Sequence, residues 1–269
     1  MNKRLRIGFF DSGIGGLSVL RHAPRRIADA DYLYVADSAY APYGRQDAQT
    51  VLQRSLAIAE FLVDQQVDAI VIACNTATAI AAEAVRAQVD VKVVAMEPAI
   101  KPAMLQSPNK RVAVLATAST LASERFLTLK QLHAAGAQVF ERACHHWVES
   151  LEDGRLDEQA LLAMVSADLQ TLVEQDVEAY ILACTHFPFL AGQIAQVVGG
   201  AHKIVDPAPA VIEQLARCLA IPAAPAQSAA LSLRLFSSHD PQHTAARVKA
   251  LLGWQLNVEP LPVSSGAKH

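Results

Sequence analysis

Two short segments, far apart in this chain, share one pattern. The first runs from Val67 to Thr76 (VDAIVIACNT), and the second runs from Val177 to His186 (VEAYILACTH), 110 residues further on. Each is an apolar, β-rich run that ends at a cysteine followed by small polar residues, which predicts a buried parallel strand with a thiol at its carboxyl end. Ligands bind at that end of open α/β sheets. We therefore expect Cys74 and Cys184 to supply one reactive group each, as a reaction that inverts a carbon centre requires.

Strand and helix patterns alternate along the whole sequence. The predicted strands are Leu5–Phe10, Tyr32–Ala36, Val67–Ala73, Val91–Ala95, Arg111–Ala116, Gln138–Glu141, Val177–Ala183, Lys203–Val205 and Leu231–Ser237. The predicted helices are one from about Leu17, then Gln46–Gln66, Thr76–Ala87, Thr120–Ala135, Asp157–Gln175, Val211–Leu219 and Pro241–Leu252. This alternation predicts an α/β protein with parallel sheets that are covered by helices on both faces.

The repeat extends beyond the two cysteine segments. Glu97-Pro98-Ala99 recurs as Asp206-Pro207-Ala208, 109 residues further on (97 to 206). The sequence therefore predicts two similar α/β domains, each a mainly parallel sheet with helices on both faces, related by pseudo-twofold symmetry. Because the segment after residue 210 has no counterpart in the middle of the chain, we expect it to return to the first half. The predicted domains are residues 1–97 plus 207–269, and residues 98–206.

The composition narrows the class of partner and compartment. The 269 residues carry a formal net charge of −3 without a strongly basic segment, so no nucleic-acid partner is expected. The four cysteines form no Cys-x-x-Cys pair, and the amino terminus lacks an apolar signal region, so we expect reduced thiols in a cytoplasmic protein. No apolar stretch is long enough to cross a bilayer, so no membrane association is predicted.

Most intracellular cysteines are inert and buried, and this interpretation is favoured for Cys144 and Cys218. It fits Cys74 and Cys184 less well, because both end equivalent strands and both are followed by hydrogen-bonding side chains. The helix that follows Cys74 is predicted to lower the pKa of its thiol through the positive end of the helix dipole. Cys184 occupies the equivalent place in the second half, with His186 two residues after it.

The turn from Asp11 to Gly16 resembles a dinucleotide-binding loop only superficially, because Ser18 stands where that motif needs its third glycine. We interpret it as a turn whose N–H groups and Ser12 hydroxyl face an anion at a helix start. Asp11 itself is either a carboxylate that assists a nearby base or a helix N-cap.

Other polar motifs have ordinary structural interpretations when each is taken alone. Pro42-Tyr43-Gly44 is a turn, and Thr117 and Thr120 are helix caps. A zinc site formed by Cys74, Cys184, His186 and Asp11 is chemically allowed, but no metal-ligand spacing supports it, so no metal is predicted. Cys144-His145-His146 is also not interpreted as a metal site.

Taken together, the motifs resemble glutamate racemase, of the aspartate/glutamate racemase superfamily. The matching elements are Phe10-Asp11-Ser12-Gly13-Ile14-Gly15-Gly16-Leu17, Ala41-Pro42-Tyr43-Gly44-Arg45, Ala73-Cys74-Asn75-Thr76-Ala77, Glu97-Pro98-Ala99, Leu115-Ala116-Thr117 with Thr120, and Ala183-Cys184-Thr185-His186-Phe187-Pro188. They occur in the order of the family and span residues 7 to about 210. The Cys-Thr-His element favours glutamate racemase over its aspartate and hydantoin racemase relatives.

This resemblance implies a racemase without pyridoxal phosphate, metal or nucleotide, with glutamate held in the cleft between two α/β domains. It implies that Cys74 acts on D-glutamate with help from Asp11, and that Cys184 acts on L-glutamate with help from His186. The residues it implies for the substrate pocket are Ser12, Pro42, Tyr43, Gly44, Asn75, Thr76, Thr117, Thr120, Thr185 and Glu152.

The role implied by the family is the supply of D-glutamate for bacterial peptidoglycan, with glutamate as the small-molecule partner. The sequence leaves a homodimer open. It also leaves two other functions open: another amino-acid racemase of the superfamily, acting on aspartate, or a non-catalytic protein that binds anions or senses redox state through its thiols.

Overall fold

The computed structural model describes residues 4–155, 157–222 and 231–263. Their strands are β1 (Leu5–Asp11), β2 (Ala30–Ala36), β3 (Ala69–Ile72), β4 (Lys92–Ala95), β5 (Arg111–Ala116), β6 (Gln138–Ala143), β7 (Ala179–Ala183), β8 (Ile204–Val205), β9 (Ser232–Ser237) and β10 (Val258–Pro260). Their α-helices are α1 (Leu17–Leu20), α2 (Ala23–Arg26), α3 (Ala48–Asp64), α4 (Asn75–Gln88), α5 (Ile100–Gln106), α6 (Ala118–Leu121), α7 (Glu124–His133), α8 (Trp147–Asp153), α9 (Glu158–Glu174), α10 (Ala191–Val198), α11 (Ala208–Cys218) and α12 (Pro241–Leu252).

The chain divides into two compact units. The first contains Met1–Met96 and Ala208–His269, and the second contains Glu97–Pro207. The first unit holds a six-stranded sheet in the order β10-β9-β2-β1-β3-β4, and the second holds a four-stranded sheet in the order β6-β5-β7-β8. Every strand pair in both sheets is parallel. The predicted fold class, an α/β protein built from parallel sheets with helices on both faces, is confirmed.

The sequence repeat corresponds to a repeat of topology. The order β2-β1-β3-β4 in the first sheet is the order β6-β5-β7-β8 in the second, so β3 and β7, which precede Cys74 and Cys184, hold equivalent central positions. Within the described residues, only the first sheet is extended at one edge, where β9 pairs with β2 and β10 pairs with β9. The segment after residue 210 therefore returns to the first unit.

Buried apolar side chains cover both faces of the first sheet. One core cluster contains Phe9, Tyr34, Val71 and helix α11, and the other contains Phe10, Val35, Ile72 and helices α3 and α4. Alternate residues of a strand point to opposite faces, which explains why neighbours such as Phe9 and Phe10 belong to different clusters. Burial on both faces is the reason that these strands read as continuous apolar runs.

Two predicted helices are each divided in the structure. The helix expected from Leu17 is formed by α1 and α2, and Pro24 lies in the first turn of α2, where a residue without an N–H is tolerated. The helix expected over Thr120–Ala135 is formed by α6 and α7, because the Ser123 hydroxyl accepts the N–H of Phe126 at 3.2 Å and starts a new helix. No helix among the described residues is long and apolar enough to cross a membrane.

Candidate active site

In the first unit, the thiol of Cys74 lies directly after β3 and caps α4. Its Sγ accepts the N–H of Ala77 at 3.5 Å and lies 4.0 Å from the Ser12 hydroxyl. Strand β3 pairs with β1, so the polar residues at the carboxyl ends of the two strands share one edge of the sheet. They are Asp11, the last residue of β1, and Ser12 on one side, and Cys74, Asn75 and Thr76 on the other. All five are at least 95% buried.

The predicted effect of the helix on Cys74 is outweighed. Burial and the negative charge of Asp11 raise the pKa of the Cys74 thiol well above its ordinary value, while the N–H groups of Ala77 and Ser12 lower it by less. The prediction of a lowered pKa was therefore wrong. A buried thiolate loses its hydration and is repelled by the Asp11 carboxylate, and these two effects together outweigh the hydrogen bonds from the two amides. Cys74 is held as a protonated thiol.

The glycine-rich turn is occupied by an anion of the chain itself. The Asp11 carboxylate accepts the N–H of Gly16 at 3.0 Å and that of Gly13 at 3.4 Å. Gly16 is required here, because a Cβ at this position would lie 2.8–2.9 Å from the Tyr34 hydroxyl and the Cβ atoms of Ala73 and Asp11. The amides that the sequence assigned to an external anion thus hold Asp11 against Cys74.

Asn75 is the best candidate in this unit for a side chain that binds a ligand. It is 4% exposed, and neither its side-chain oxygen nor its nitrogen has a hydrogen-bond partner within the part of the chain that the structure describes. An unpaired buried amide costs about 1–3 kcal/mol, and a carboxylate or ammonium group would satisfy it.

Pro42 is the N-cap of a short 3-10 helix, Tyr43–Arg45, which lies after β2 in the chain and contains Tyr43 and Gly44. Tyr43 is 1% exposed, and its hydroxyl donates to Asp37 at 2.6 Å. Asp37 in turn pairs with Arg54 of α3, with N–O distances of 2.9 and 2.8 Å. The sequence analysis missed Arg54; its signal was a cation at a helix position flanked by the core residues Val51 and Ile58.

In the second unit, Cys184, Thr185 and His186 follow β7 and are all buried. The Nδ1 atom of His186 lies 3.9 Å from the Cys184 Sγ, and its Nε2 lies 2.6 Å from the Glu152 carboxylate. Burial by itself lowers the pKa of His186, but its hydrogen bonds to Cys184 and Glu152 outweigh that effect and hold the pKa well above the ordinary value. His186 therefore lies between the Glu152 carboxylate and the Cys184 sulfur, and these two contacts favour the protonated form of its imidazole.

Glu152 is brought to His186 by α8, a helix that the sequence analysis did not predict. Trp147 at its start is fully buried, packs edge-on against Phe187 with ring centroids 4.8 Å apart, and donates its indole N–H to Asp168 of α9 at 2.7 Å. These contacts fix α8 beside the residues that follow β7.

Thr117 directly follows β5, the strand beside β7, and Thr120 lies in α6, the helix that comes next. Their hydroxyl oxygens are 2.9 Å apart, and the Thr117 oxygen accepts the N–H of Thr120 at 3.2 Å, so Thr117 caps α6. Cys144 is buried beyond β6, on the other side of β5, and Cys218 is half-buried at the end of α11. Among the described residues, no three His, Cys, Asp or Glu side chains are grouped so that they could hold a metal ion.

The fold and the two thiol sites define a class of protein, and comparison with known families agrees. The family model described as Asp/Glu/Hydantoin racemase matches residues 17–215. The chain belongs to this family, which confirms the resemblance found in the sequence.

The individual relatives that resemble this chain share the name glutamate racemase. The chain is 40% identical over 262 residues to "Glutamate racemase" of Methylococcus capsulatus, covering 97% of each chain. It is 40% identical over 258 residues to "Glutamate racemase" of Pseudomonas aeruginosa, covering 96% of this chain and 97% of the relative. Among solved structures, it is similar to glutamate racemase RacE1 from Bacillus anthracis (TM-score 0.86, 26% identity, 98% and 100% coverage). It is also similar to Escherichia coli glutamate racemase in complex with L-glutamate and the activator UDP-MurNAc-Ala (TM-score 0.85, 29% identity, 98% and 100% coverage).

Proposed function

We propose that this protein interconverts L-glutamate and D-glutamate without a cofactor, using Cys74 and Cys184 as the two acid–base groups, and so supplies D-glutamate for peptidoglycan. One observation carries the proposal: the two thiols follow equivalent central strands of two sheets with the same strand order. Each also has its own ionisable partner, Asp11 or the His186–Glu152 pair. Relatives named glutamate racemase that match nearly the whole chain support the choice of substrate.

The two environments suit opposite halves of one reaction. Burial and Asp11 keep Cys74 protonated, ready to donate, whereas the cationic His186 places a positive charge beside the Cys184 sulfur. In the L-to-D direction, the Cys184 thiolate takes the α-proton and becomes a thiol. The Cys74 thiol then donates its proton to the other face of the planar carbanion and becomes a thiolate. Each L-to-D turnover takes up one proton and returns one, and it leaves Cys184 as a thiol and Cys74 as a thiolate. The reverse direction starts from that form and exchanges these roles.

Neutral donors suit the binding of glutamate in this reaction. The unpaired amide of Asn75, together with the hydroxyls of Ser12 and Thr185, can bind carboxylate or ammonium groups without placing a competing cation beside the thiol of Cys74. Fixed dipoles of this kind stabilise the charge that develops in the transition state more than they stabilise the bound substrate.

The test is the reaction of each enantiomer in D₂O, followed by circular dichroism and by NMR of the α-position, with aspartate as the control substrate. The wild-type protein should drive either glutamate enantiomer to zero optical rotation with deuterium at the α-carbon. Cys74→Ser and Cys184→Ser should each slow racemisation by at least about 10²–10⁴-fold, the usual contribution of a positioned base. Cys218→Ser, which replaces a half-buried thiol at the end of α11, is the matched control and should keep full activity.

The single-thiol variants also separate the two half-reactions. Cys74→Ser retains Cys184 and should exchange only the α-proton of L-glutamate, whereas Cys184→Ser should exchange only that of D-glutamate. Full racemisation by either variant would refute the two-thiol mechanism. Turnover of aspartate but not glutamate would assign the protein to another racemase class, and no turnover of either amino acid would favour a binding or redox role.

A further inference from the structure

Under the Pro42-Tyr43-Gly44 turn lies a buried ion pair to which the sequence motifs assign no role. Asp37 is fully buried and the Arg54 side chain is 5% exposed. The guanidinium makes a two-pronged contact, with Nε 2.9 Å from one carboxylate oxygen and Nη2 2.8 Å from the other. This planar geometry fixes both partners in orientation as well as in distance.

The pair is tied to Tyr43. The phenol donates its proton to the same Asp37 oxygen that accepts Arg54 Nε, at 2.6 Å. Burial, followed by the charge of Asp37, raises the pKa of the Tyr43 phenol well above its ordinary value, so this side chain stays a neutral donor. Because its hydroxyl is committed to Asp37, Tyr43 is anchored through its side-chain tip.

The anchored turn lies close to Cys74. The 3-10 helix Tyr43–Arg45 packs against α4, the helix that Cys74 caps, and Tyr43 and Cys74 belong to one apolar cluster. The N–H of Asp37 donates to the backbone oxygen of Asp11 at 3.0 Å. The ion pair is thus connected to both the turn and the strand that carries Asp11.

Stability alone explains this arrangement poorly. A buried ion pair is often no better for stability than apolar side chains of the same volume, because both ions lose hydration. What the pair does provide is a fixed acceptor for the Tyr43 hydroxyl.

We propose that Asp37 and Arg54 are positioning residues for glutamate binding, acting through Tyr43 to hold the 42–44 turn at the Cys74 end of the active site. The inference rests on the proposed function. It predicts that breaking the network weakens the binding of substrate and transition state equally, which raises KM and leaves kcat nearly unchanged.

The experiment compares kcat and KM for both enantiomers in Tyr43→Phe, Asp37→Asn and the double variant. Removing one hydrogen bond to a charged group should raise KM by about 10- to 100-fold in each single variant. If Asp37 acts through Tyr43, the KM of the double variant should be no higher than that of the more impaired single variant, because the two substitutions remove the same hydrogen bond. Arg54→Lys keeps the charge but loses the planar fork, so it should fall between wild type and Arg54→Met.

A matched control separates positioning from folding. Arg234→Met breaks the ion pair between Arg234 and Glu259 (2.9 and 2.8 Å), which lies in the same sheet between β9 and β10, and should leave KM unchanged. Unchanged KM in Tyr43→Phe, or KM effects of Tyr43→Phe and Asp37→Asn that multiply, would overturn the inference even if thermal stability falls. Because Tyr43→Phe removes only one oxygen, it keeps the test decisive if Asp37→Asn does not fold. An inactive wild-type protein would overturn the proposed function itself, whereas an active one with unaltered variants would overturn only the positioning role.

Discussion

Replacing Glu152 by glutamine tests the relay of the second unit, by which we mean the contacts from Glu152 to His186 and from His186 to Cys184. The substitution keeps the shape of the side chain but removes the negative charge 2.6 Å from the Nε2 atom of His186. His186 is 1% exposed, so solvent screens the loss of that charge only weakly. We expect the imidazole to lose its proton at lower pH and the Cys184 sulfur to lose the positive charge beside it.

The magnitude follows from the contact. A hydrogen bond to a charged group contributes about 1.5–3 kcal/mol, and about 1.4 kcal/mol corresponds to a tenfold change in rate. If the imidazolium persists through proton transfer, Glu152→Gln should lower kcat by about 10- to 100-fold. Because racemisation has an equilibrium constant of one, kcat/KM must fall equally in both directions. The asymmetry appears only in α-proton exchange, which should slow more for L-glutamate than for D-glutamate.

Stability gives a second, independent measurement. The pKa of His186 is raised in the folded protein, so the folded state binds this proton more tightly than the unfolded chain does. The resulting stabilisation is fully present below the ordinary value of 6.5 and is lost as the pH rises through the pKa of the folded protein. In urea unfolding, Glu152→Gln should therefore lose the most stability relative to wild type below pH 6.5 and less at alkaline pH. A folded variant with unchanged kcat, or a deficit that does not depend on pH, would refute the relay.

Two further substitutions test the first unit. Asp11→Asn removes the charge that helps to raise the pKa of Cys74, so the Cys74 thiolate should form at lower pH. The measurement is the thiolate absorbance of Asp11→Asn minus that of the same variant carrying Cys74→Ser. An unchanged titration would show that burial alone sets the pKa of Cys74. The stability that the Cys74 proton provides is present below the ordinary thiol pKa of 9.0 and is lost above it, and this alkaline loss should be shallower in Asp11→Asn. Gly16→Ala forces a Cβ to within 2.8–2.9 Å of three atoms, so it should lower the free energy of unfolding in urea by about 1–3 kcal/mol. The control is Gly192→Ala, which has no atom within 4 Å of the added Cβ and should not lower it. Equal effects of the two substitutions would refute the packing argument.

The sequence indicated the fold well because parallel strands that are buried on both faces leave an unambiguous apolar signal. Val67–Ala73 and Val177–Ala183 could be read directly, and the repeat placed Cys74 and Cys184 at equivalent strand ends. Helix boundaries were less predictable where a local cap competes with an apolar pattern, as Ser123 does within the predicted helix Thr120–Ala135.

Contacts made by tertiary packing could not be read from the sequence in the same way. Asp37 and Arg54 are 17 residues apart, and nothing local indicates that one accepts a hydrogen bond from the other. Helix α8 was missed because His146 begins it in a left-handed conformation, φ 68°, that a non-glycine residue seldom adopts. The pKa of Cys74 was predicted in the wrong direction because a helix terminus is visible in a sequence, whereas desolvation is not.

The pairing of β9 with β2 has a consequence for how the chain is made. The second unit is one continuous segment, Glu97–Pro207, whereas β2 (Ala30–Ala36) must await a partner about 200 residues downstream, at Ser232–Ser237. At a synthesis rate of about 5–20 residues per second, the edge of β2 stays unpaired for roughly 10–40 s after it leaves the ribosome. Unpaired strand edges are sites of aggregation, so we expect nascent chains truncated before β9 to have a protease-resistant middle and an unprotected first unit. Pulse proteolysis of stalled chains would show the order in which the two halves of the molecule become native.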